Sequence, residues 1–382
     1  MLTLLLLLQA QTSDIVITGK RLEEAHAACV RGGCTPLRDA QASIALAESR
    51  FRDGNYLSAK RLLAAAAERN RDKAATDPKP VAAIYEAYAT VALHEGNQED
   101  YKKAVGRQVR TLREYVAPED PAAVAATTAT GDMWLKLGDP RQADNSYRAA
   151  EEDALAHGRD LSAMLAGMKR AWLAFAQDRR SDAMRKLDEL EARPIAQSGG
   201  TRTALRVLRL RIAAKDADED ELSRLIGAVS QSQADQPTLV WAPKYDLDSA
   251  AALSQVAATS RRVGDLTPVV SQFADLSAQV DAIQWIDVGF WIRPDGRTAE
   301  VEVLRGSPTH PWAESVTRQI SQRRYTASGA NTAEDGTYRV ERFTRRSEYL
   351  TPKGSLIKRR IATGTFEVLD LTDAPEPPTA AQ

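Results

Sequence analysis

A phrase of small and aromatic residues recurs through most of the chain, and it limits the fold more than any other feature of the sequence. Its clearest copy contains Gly131, Trp134, a Gly-Asp dipeptide at 138–139, Ala143 and Tyr147. Small residues at this spacing allow the two helices of a hairpin to cross closely, and larger residues fill the groove offered by the next hairpin. The phrase therefore predicts an array of stacked helical hairpins.

Six copies of the phrase are marked by a small or apolar residue on the second helix of each predicted hairpin. Two copies match strongly, at residues 131–150 and 46–66, and the other four are inferred from the spacing. Successive markers are 39 to 47 residues apart. The six markers are Ala59, Ala104, Ala143, Ala183, Leu222 and Val269.

The phrase resembles the tetratricopeptide repeat (TPR), although its spacing exceeds the family's unit of about 34 residues. The longer spacing predicts extended helices or degenerate repeats. The resemblance implies a solenoid that binds peptides or proteins on its concave face. The alternative is a helical scaffold without a ligand, because the charged faces, such as Arg107 to Glu114, mix both signs and select no partner.

The hydrophobic pattern changes from helical to alternating after Ala282, which predicts a second domain. A Pro-Asp-Gly turn at 294–296 separates two alternating runs. Trp312, Val316 and Ile320 then follow at helical spacing. The predicted elements are strands over 286–292, 299–303 and 338–343, a helix over 312–322, and a last hairpin of 356–361 and 365–369 that turns near Thr363-Gly364.

This order of hairpin, helix and strand resembles the C-terminal domain of the energy-transducing TonB family. The resemblance lies in residues 288–303, in the helix from Trp312 to Arg324 and in Tyr325, where the family commonly has an aromatic residue. It covers about a quarter of the chain. It implies a small α+β domain, a periplasmic setting and the binding of a partner strand at an exposed sheet edge. A long membrane anchor and a Pro-rich linker are not in this sequence, so the fold and setting carry over better than energy transduction.

The first residues predict export. Residues 1–8 are apolar except for Thr3, and Ala10 supplies a small residue before a cleavage site. The run is too short to span a bilayer. Because no basic residue precedes Lys20, a misassigned start codon and a buried N-terminal segment remain alternatives.

Two further features belong to the N-terminal part. Cys29 and Cys34, the two cysteines of the sequence, flank a pair of glycines and predict a structural disulfide in an oxidising compartment. A short β-branched segment resembles the extended segment near the mature N-terminus of TonB-dependent receptors. It predicts pairing with the chain's own C-terminal sheet or with a transducer; an ordinary edge strand and a disordered leader are the alternatives. The segment is Asp14, Ile15, Val16, Ile17, Thr18 and Gly19.

The formal net charge of −1 argues against a chain-wide nucleic-acid binder, because neutralising phosphates requires surplus Lys and Arg. Residues 318–360 nevertheless hold eleven Lys or Arg against four acidic residues. A basic face there would contact acidic lipid headgroups, peptidoglycan carboxylates or an acidic partner. The alternative is a solvated sheet face with charges that protect its edge. The candidate basic face comprises Arg339, Arg342, Arg345, Arg346, Lys358, Arg359 and Arg360.

The sequence gives no positive reason to predict an enzyme, a cofactor or a metal. The four histidines lie in unrelated contexts, and phosphate-loop, dinucleotide and nucleophile-elbow motifs do not occur. The acidic cluster around Asp218 fails the calcium-loop pattern, since Glu221 and Gly227 stand where Gly and Glu are needed.

The resulting prediction is a multi-domain protein in which an all-α, TPR-like helical-hairpin solenoid precedes a small α+β domain. Its predicted function is that of a periplasmic interaction or adaptor protein with a protein or peptide partner, such as a TonB-dependent receptor or a transducer component. The alternative is a structural envelope protein held to peptidoglycan or membrane by its basic face. The predicted segments are a signal peptide at 1–11, a cysteine-containing segment at 12–40, the solenoid at 41–282, the α+β domain at 283–372 and a disordered tail at 373–382.

Overall fold

The structure is a computed structural model that describes residues 19–215, 217–230, 237–245, 283–306, 310, 312–326, 336–351, 356 and 358–372. The chain divides into two compact units, Met1–Ile212 and Ala213–Gln382. Several predictions lie outside the described residues: the signal peptide at 1–11, the segment 14–18, the sixth repeat around position 269, and the tail at 373–382.

The first unit consists of helices that pack against their neighbours in the chain. The described helices are α1 Gly19–Val30, α2 Pro36–Arg52, α3 Tyr56–Asn70, α4 Pro78–Glu95, α5 Gln98–Tyr115, α6 Pro121–Ala126, α7 Ala129–Lys136, α8 Pro140–Ala156, α9 Asp160–Ala176, α10 Arg180–Glu191 and α11 Gly199–Ala213. Helix α12, Glu219–Ser230, belongs to the second unit.

Glycine followed by Asn or Asp separates the two helices of a hairpin, as the sequence predicts. Gly96 ends α4 with a φ of 91°, and Asn97 caps α5 by accepting a hydrogen bond from the amide of Asp100 at 2.9 Å. Asp139 caps α8 in the same way through the amide of Gln142. The left-handed glycine ends one helix, and the polar cap satisfies the first amides of the next.

The repeat markers occupy the predicted places. Ala59, Ala104, Ala143 and Ala183 are fully buried on α3, α5, α8 and α10, and Leu222 is buried on α12. Each of these is a second helix in the predicted scheme. The helical-hairpin array is therefore confirmed for the described residues of the first unit, from α2 to α10.

The glycines of the phrase lie where two helices approach closely. A Cβ on Gly131 would lie 2.2 Å from Cε1 of Tyr147, so the ring of α8 packs directly on the backbone of α7. Gly167 of α9 has the same relation to Leu190 of α10, at 2.5 Å. Any larger residue at these points would force the helices apart.

The second unit also contains six strands and a helix in its described residues: β1 Leu239–Trp241, β2 Trp285–Ile292, β3 Thr298–Gly306, α13 Ala313–Ser321, β4 Arg324–Tyr325, β5 Thr337–Leu350 and β6 Arg359–Asp370. Four of the strands form an antiparallel sheet in the order β3-β2-β5-β6, and β1 and β4 form a separate ribbon. Alternating apolar residues of β2, such as Ile286, Val288 and Phe290, pack with Val316 and Ile320 of α13 in one buried core. The predicted hairpin, helix and third strand are confirmed as elements.

The predicted C-terminal hairpin is wrong. Residues 359–370 form the single strand β6, which pairs with β5 along its length instead of turning near Thr363-Gly364. The register passes from Ser347 paired with Ala362 to Arg345 paired with Phe366. The extra residues therefore form a bulge, and glycine inside a strand is typical of a bulge as well as of a turn.

The boundary between the units also differs from the predicted one at 282 and 283. The division falls after Ile212. The β1 strand, long before residue 283, pairs with β4, with Leu239 opposite Tyr325. Residues that precede the alternating pattern thus contribute to the sheet unit, and helix α1 packs on α2 before the predicted solenoid start at 41.

Candidate functional site

Two side-chain contacts join helix α9 to the preceding segment of α6 and α7. Thr127, which follows α6, donates to Ser162 of α9 at 3.2 Å. Five residues after Thr127, Oδ1 of Asp132 on α7 forms an ion pair with Nζ of Lys169 on α9, at 2.9 Å. Both contacts advance in the same direction along the chain, so α7 and α9 run parallel.

Apolar side chains lie one turn beyond this ion pair. Leu135 lies three residues beyond Asp132 on α7, and Trp172 lies three residues beyond Lys169 on α9, so each shares a helix face with the ion-paired residue. Leu135 is 37% exposed, whereas Trp172 is half-buried because part of its side chain packs against the core cluster that includes Leu187. We call Asp132, Leu135, Lys169 and Trp172 the first-helix surface. It offers an apolar contact beside a charged pair, a combination suited to a peptide.

Asp132 is held in place from within its own hairpin. The hydroxyl of Tyr147 on α8 donates to Oδ1 of Asp132 at 2.6 Å. Burial, and then the neighbouring Asp132 carboxylate, raise the pKa of Tyr147, so the phenol remains a donor. The charge of Asp132 is thus positioned by the same tyrosine that packs on Gly131.

A second charged cluster joins α8, α9, α10 and the segment after α10. The buried carboxylate of Glu151 accepts hydrogen bonds from Arg170 at 2.9 Å, Lys186 at 2.9 Å and Arg193 at 2.8 Å. Its partners come from three successive segments of the array, so it fastens one hairpin to the next. Sequence reasoning missed Glu151, because nothing in the pattern separates this glutamate from the exposed Glu152.

The two predicted N-terminal sites are placed as follows. Cys29 and Cys34 form a disulfide between the end of α1 and the residues before α2. Gly32 and Gly33 of the intervening loop have φ values of 99° and 95°, which glycine adopts without strain. Of the predicted strand-pairing segment, Gly19 is the first residue of helix α1, and residues 14–18 lie outside the described residues.

Part of the predicted basic face is buried. Arg342, Arg345 and Arg360 are buried. Arg342 donates to both oxygens of Asp287, at 2.6 and 2.9 Å, and its guanidinium lies 3.8 Å from the ring centre of Trp285. A long antiparallel strand has two covered faces here, and the arginine stems fill them.

The other members of the predicted face are held by different partners. Arg339 donates to the carbonyl of Pro237 at 2.8 Å, and Arg346 pairs with the buried Glu367 at 2.6 Å. Lys358 is exposed. The side chain of Arg359 lies outside the described residues.

Sequence reasoning also missed the acidic partners of the buried arginines. Asp287 is fully buried and pairs with Arg305 as well as with Arg342. Arg323 pairs with Glu341 at 2.8 Å and donates to the hydroxyl of Tyr325. The signal was the position of Asp287, which interrupts an apolar strand.

The two edges of the four-stranded sheet differ. On β3, the register with β2 shifts twice, and Glu300 has a φ of 51°, so this edge is bulged. On β6, the amide of Leu371 donates to the carbonyl of Val340, and Asp370 pairs opposite Glu341. The alternation of an antiparallel ladder therefore directs the backbone groups of Phe366, Val368 and Asp370 away from β5.

Neither membrane spans nor metal sites were found in the part of the chain that the structure describes. None of its helices is long and apolar enough to cross a bilayer. Its His, Cys, Asp and Glu residues do not gather into a group of three or more that would hold a metal ion.

Comparison with known proteins assigns no family. The chain matches no protein-family model and no curated protein. Among solved structures it is similar to the nearly identical TPR-like repeats of a Podosopora anserina kinesin light chain, with 14% identity, a TM-score of 0.38, and 46% of this chain and 84% of that chain covered. It is also similar to the Rap conjugation gene regulator of plasmid pLS20 in complex with the Phr* peptide, with 13% identity, a TM-score of 0.36, and 71% and 69% covered.

These similarities are too low to carry an argument, so the class of protein follows from the structure itself. Within the described residues, helical hairpins with buried small residues define a helical repeat array, and a small antiparallel sheet packed against helix α13 follows it in the chain. The resemblance of the array to the TPR family stays a prediction. The resemblance of this sheet to the TonB C-terminal domain stays a prediction.

Proposed function

We propose that the protein is a non-enzymatic interaction protein whose helical array binds a peptide or protein partner. The observation that supports this proposal is the first-helix surface: a charged pair joins two hairpins, and one helical turn further on stand the exposed Leu135 and Trp172, part of which packs against the core. Such a surface combines an apolar anchor with polar groups that fix orientation.

The test compares two exposed leucines. Leu135 lies on the first-helix surface and Leu155 on the second helix α8, and they are 37% and 46% exposed. We expect Leu135→Glu to abolish capture of a partner from an envelope extract by the full-length protein, and Leu155→Glu to leave it unchanged. Circular dichroism serves as the control for folding. Equal capture by both variants would exclude the first-helix surface as the binding site.

We also propose that the protein is exported to the periplasm. The disulfide between Cys29 and Cys34 supports this proposal, because such bonds persist in oxidising compartments. The apolar run at the start of the sequence supports it independently. The thiol state of the two cysteines in cells is the measurement that checks it.

For the sheet domain, we propose that an extended strand pairs at the edge of β6. The backbone groups of Phe366, Val368 and Asp370 support this edge, since β3 is bulged. The segment 14–19 of the chain itself and a strand of a TonB-dependent receptor or transducer are the proposed occupants. Deletion of residues 14–19 should increase amide exchange at these three residues or change partner capture. If the deletion alters neither, the segment does not pair.

Attachment to the envelope through a basic face has weaker support, because three of its arginines are buried. Salt separates the two functions. Binding to lipid or peptidoglycan through exposed charges should weaken steeply between low and high ionic strength, whereas strand and groove binding should be less sensitive. A steep loss of envelope association with salt would favour attachment.

A further inference from the structure

Within the described part of the chain, Arg345 is a buried arginine without an acidic partner. Only 8% of the residue is exposed, and it lies on the same face of β5 as the core residue Phe343. Its side chain makes one long hydrogen bond, 3.4 Å from Nη1 to Oε1 of Gln284, and forms no ion pair with a carboxylate among the described residues. In contrast, the buried Arg342 and Arg323 each pair with a carboxylate.

The groups around Arg345 are hydrogen-bond donors or neutral. Oε1 of Gln284 also accepts from Nε1 of Trp312 at 3.1 Å. The imidazole of His310 stacks on Trp312, with ring centres 5.2 Å apart. Burial, and then the charge of Arg345, lower the pKa of His310, so its imidazole is neutral near pH 7.

Trp312 also places the start of helix α13 at this cluster. It is the N-cap residue of α13, and its side chain does not cap the helix. In the first turn, Ser315 is buried, and its Oγ has no hydrogen-bond partner in the described part of the chain. The amides of a helix N-terminus favour a negative charge. The nearby acid Glu314 is exposed and pairs with Arg318 instead.

An unpaired guanidinium inside a protein is costly, because burial removes its hydration and nothing replaces it. An anion that entered the cluster would restore this lost interaction. The planar fork of arginine matches a carboxylate in two parallel hydrogen bonds. The single negative charge of a carboxylate would balance the single positive charge of Arg345, whereas a phosphate dianion would leave one negative charge without a partner.

We propose that Arg345, with Gln284 and His310 beside it, forms a binding site for a carboxylate group close to Trp312, the residue that precedes α13. The carboxylate belongs either to a small free acid or to a peptide. In a peptide it is the C-terminal carboxylate or the carboxylate of an acidic side chain. The site is separate from the first-helix surface and does not depend on the function proposed for it.

The first test titrates the full-length protein with acetate at constant ionic strength, with chloride as the balancing anion. We expect a saturable shift of the Trp312 indole N–H signal in NMR spectra and a rise in melting temperature. Arg345→Gln should weaken acetate binding at least about tenfold, because a charge-assisted hydrogen bond is lost. Arg318→Gln removes an exposed charge from the same helix and should bind acetate as the wild type does.

Arg345→Gln could lose acetate binding only because its fold is disturbed, so a second variant is needed that removes the charge and keeps the protein stable. Arg345→Met removes the unpaired charge and keeps the apolar stem. In chloride it should melt at or above the wild-type temperature, since no ion pair is lost, and it should not respond to acetate. The proposal is overturned if acetate leaves the wild-type indole signal and melting temperature unchanged, or if the two Arg345 variants respond as the wild type does.

A third arm separates the two sources of the carboxylate. The probes are short peptides with a free C-terminus, the same peptides with an amidated C-terminus, and acetate. If the peptide with a free C-terminus displaces acetate and the amidated peptide does not, the bound carboxylate is a peptide C-terminus. If acetate binds and neither peptide displaces it, the ligand is a small acid. Phosphate that binds more tightly than acetate would contradict the carboxylate assignment.

Discussion

Glu151 is a single carboxylate on which three cationic side chains converge, and its charge is needed by all of them. Burial alone would raise the pKa of Glu151, but hydrogen bonds from Lys186 and Arg170 outweigh burial and hold the pKa below its ordinary value. The carboxylate is therefore ionised in the folded protein near pH 7. Removing the charge would leave three cations near one another without their common partner.

We predict that Glu151→Gln lowers the free energy of unfolding of the helical unit by about 3–5 kcal/mol at pH 7, the usual cost of breaking a buried pair. Because the folded pKa lies below the unfolded one, the stabilisation by Glu151 is complete above the unfolded pKa of about 4.3 and disappears as pH falls through the folded pKa. Urea unfolding followed by circular dichroism at several pH values measures both effects.

Glu152→Gln is the matched control, since its side chain is exposed on the same helix. It should change stability by less than about 0.5 kcal/mol. A Glu151→Gln variant as stable as this control would show that the three cations do not depend on the carboxylate.

The charged residues of the sheet domain show why the sequence alone misplaced them. A count of Lys and Arg between 318 and 360 describes total charge, but it does not say which face of β5 each residue occupies. Arg342 and Arg345 both became buried because β5 is 14 residues long and covered on both sides along this stretch. Arg342 contacts Asp287, 55 residues earlier in the sequence, only because β2 pairs with β5.

At the scale of elements, the crossing of α7 and α8 depends on a single missing side chain. We predict that Gly131→Ala destabilises the helical unit by about 1–3 kcal/mol, the usual cost of overpacking. The alanine Cβ would lie 2.2 Å from the fully buried ring of Tyr147. Thermal and urea unfolding provide the measurement.

The control is Gly106→Ala on α5, where the new Cβ would have no heavy atom within 4 Å. Alanine favours helix over glycine by about 1 kcal/mol, so this variant should be more stable than the wild type. If both substitutions stabilise the protein, the close approach at Gly131 has been overestimated.

Helical hairpins were predictable because their signals are local. A left-handed glycine, a polar cap and small residues at fixed spacing all lie within one repeat, as at Gly96, Asn97 and Ala104. The final strand was not predictable in the same way, since Gly364 is compatible with a turn or a bulge. Pairing with β5 decided between them, and that pairing depends on the whole sheet.

For the molecule as a whole, the disulfide is the feature on which the proposed export can be tested. We predict that Cys29 and Cys34 resist alkylation in intact cells until a reductant is added. A variant lacking residues 1–11 should be retained in the cytoplasm and be alkylated directly, because thiols stay reduced there. Mass spectrometry of the alkylated peptides measures both states.

Cys29→Ala combined with Cys34→Ala is the control for incomplete labelling. Direct alkylation of the unaltered protein in intact cells would contradict export.

The candidate sites differ in how far they could be predicted from the sequence. The two cysteines of the disulfide lie within six residues of each other, so their pairing could be predicted. The first-helix surface could not be predicted, because its residues come together only when two hairpins pack.

The position of β6 in the chain has a consequence for synthesis. Because β6 is the last strand of the sheet in chain order, a product that ends before it leaves β5 with an unpaired edge beside the hairpin of β2 and β3. Strand edges of this kind pair readily with other chains. Translation that stops before residue 359 would leave that edge permanently open, and such truncated products should accumulate as aggregates instead of soluble protein.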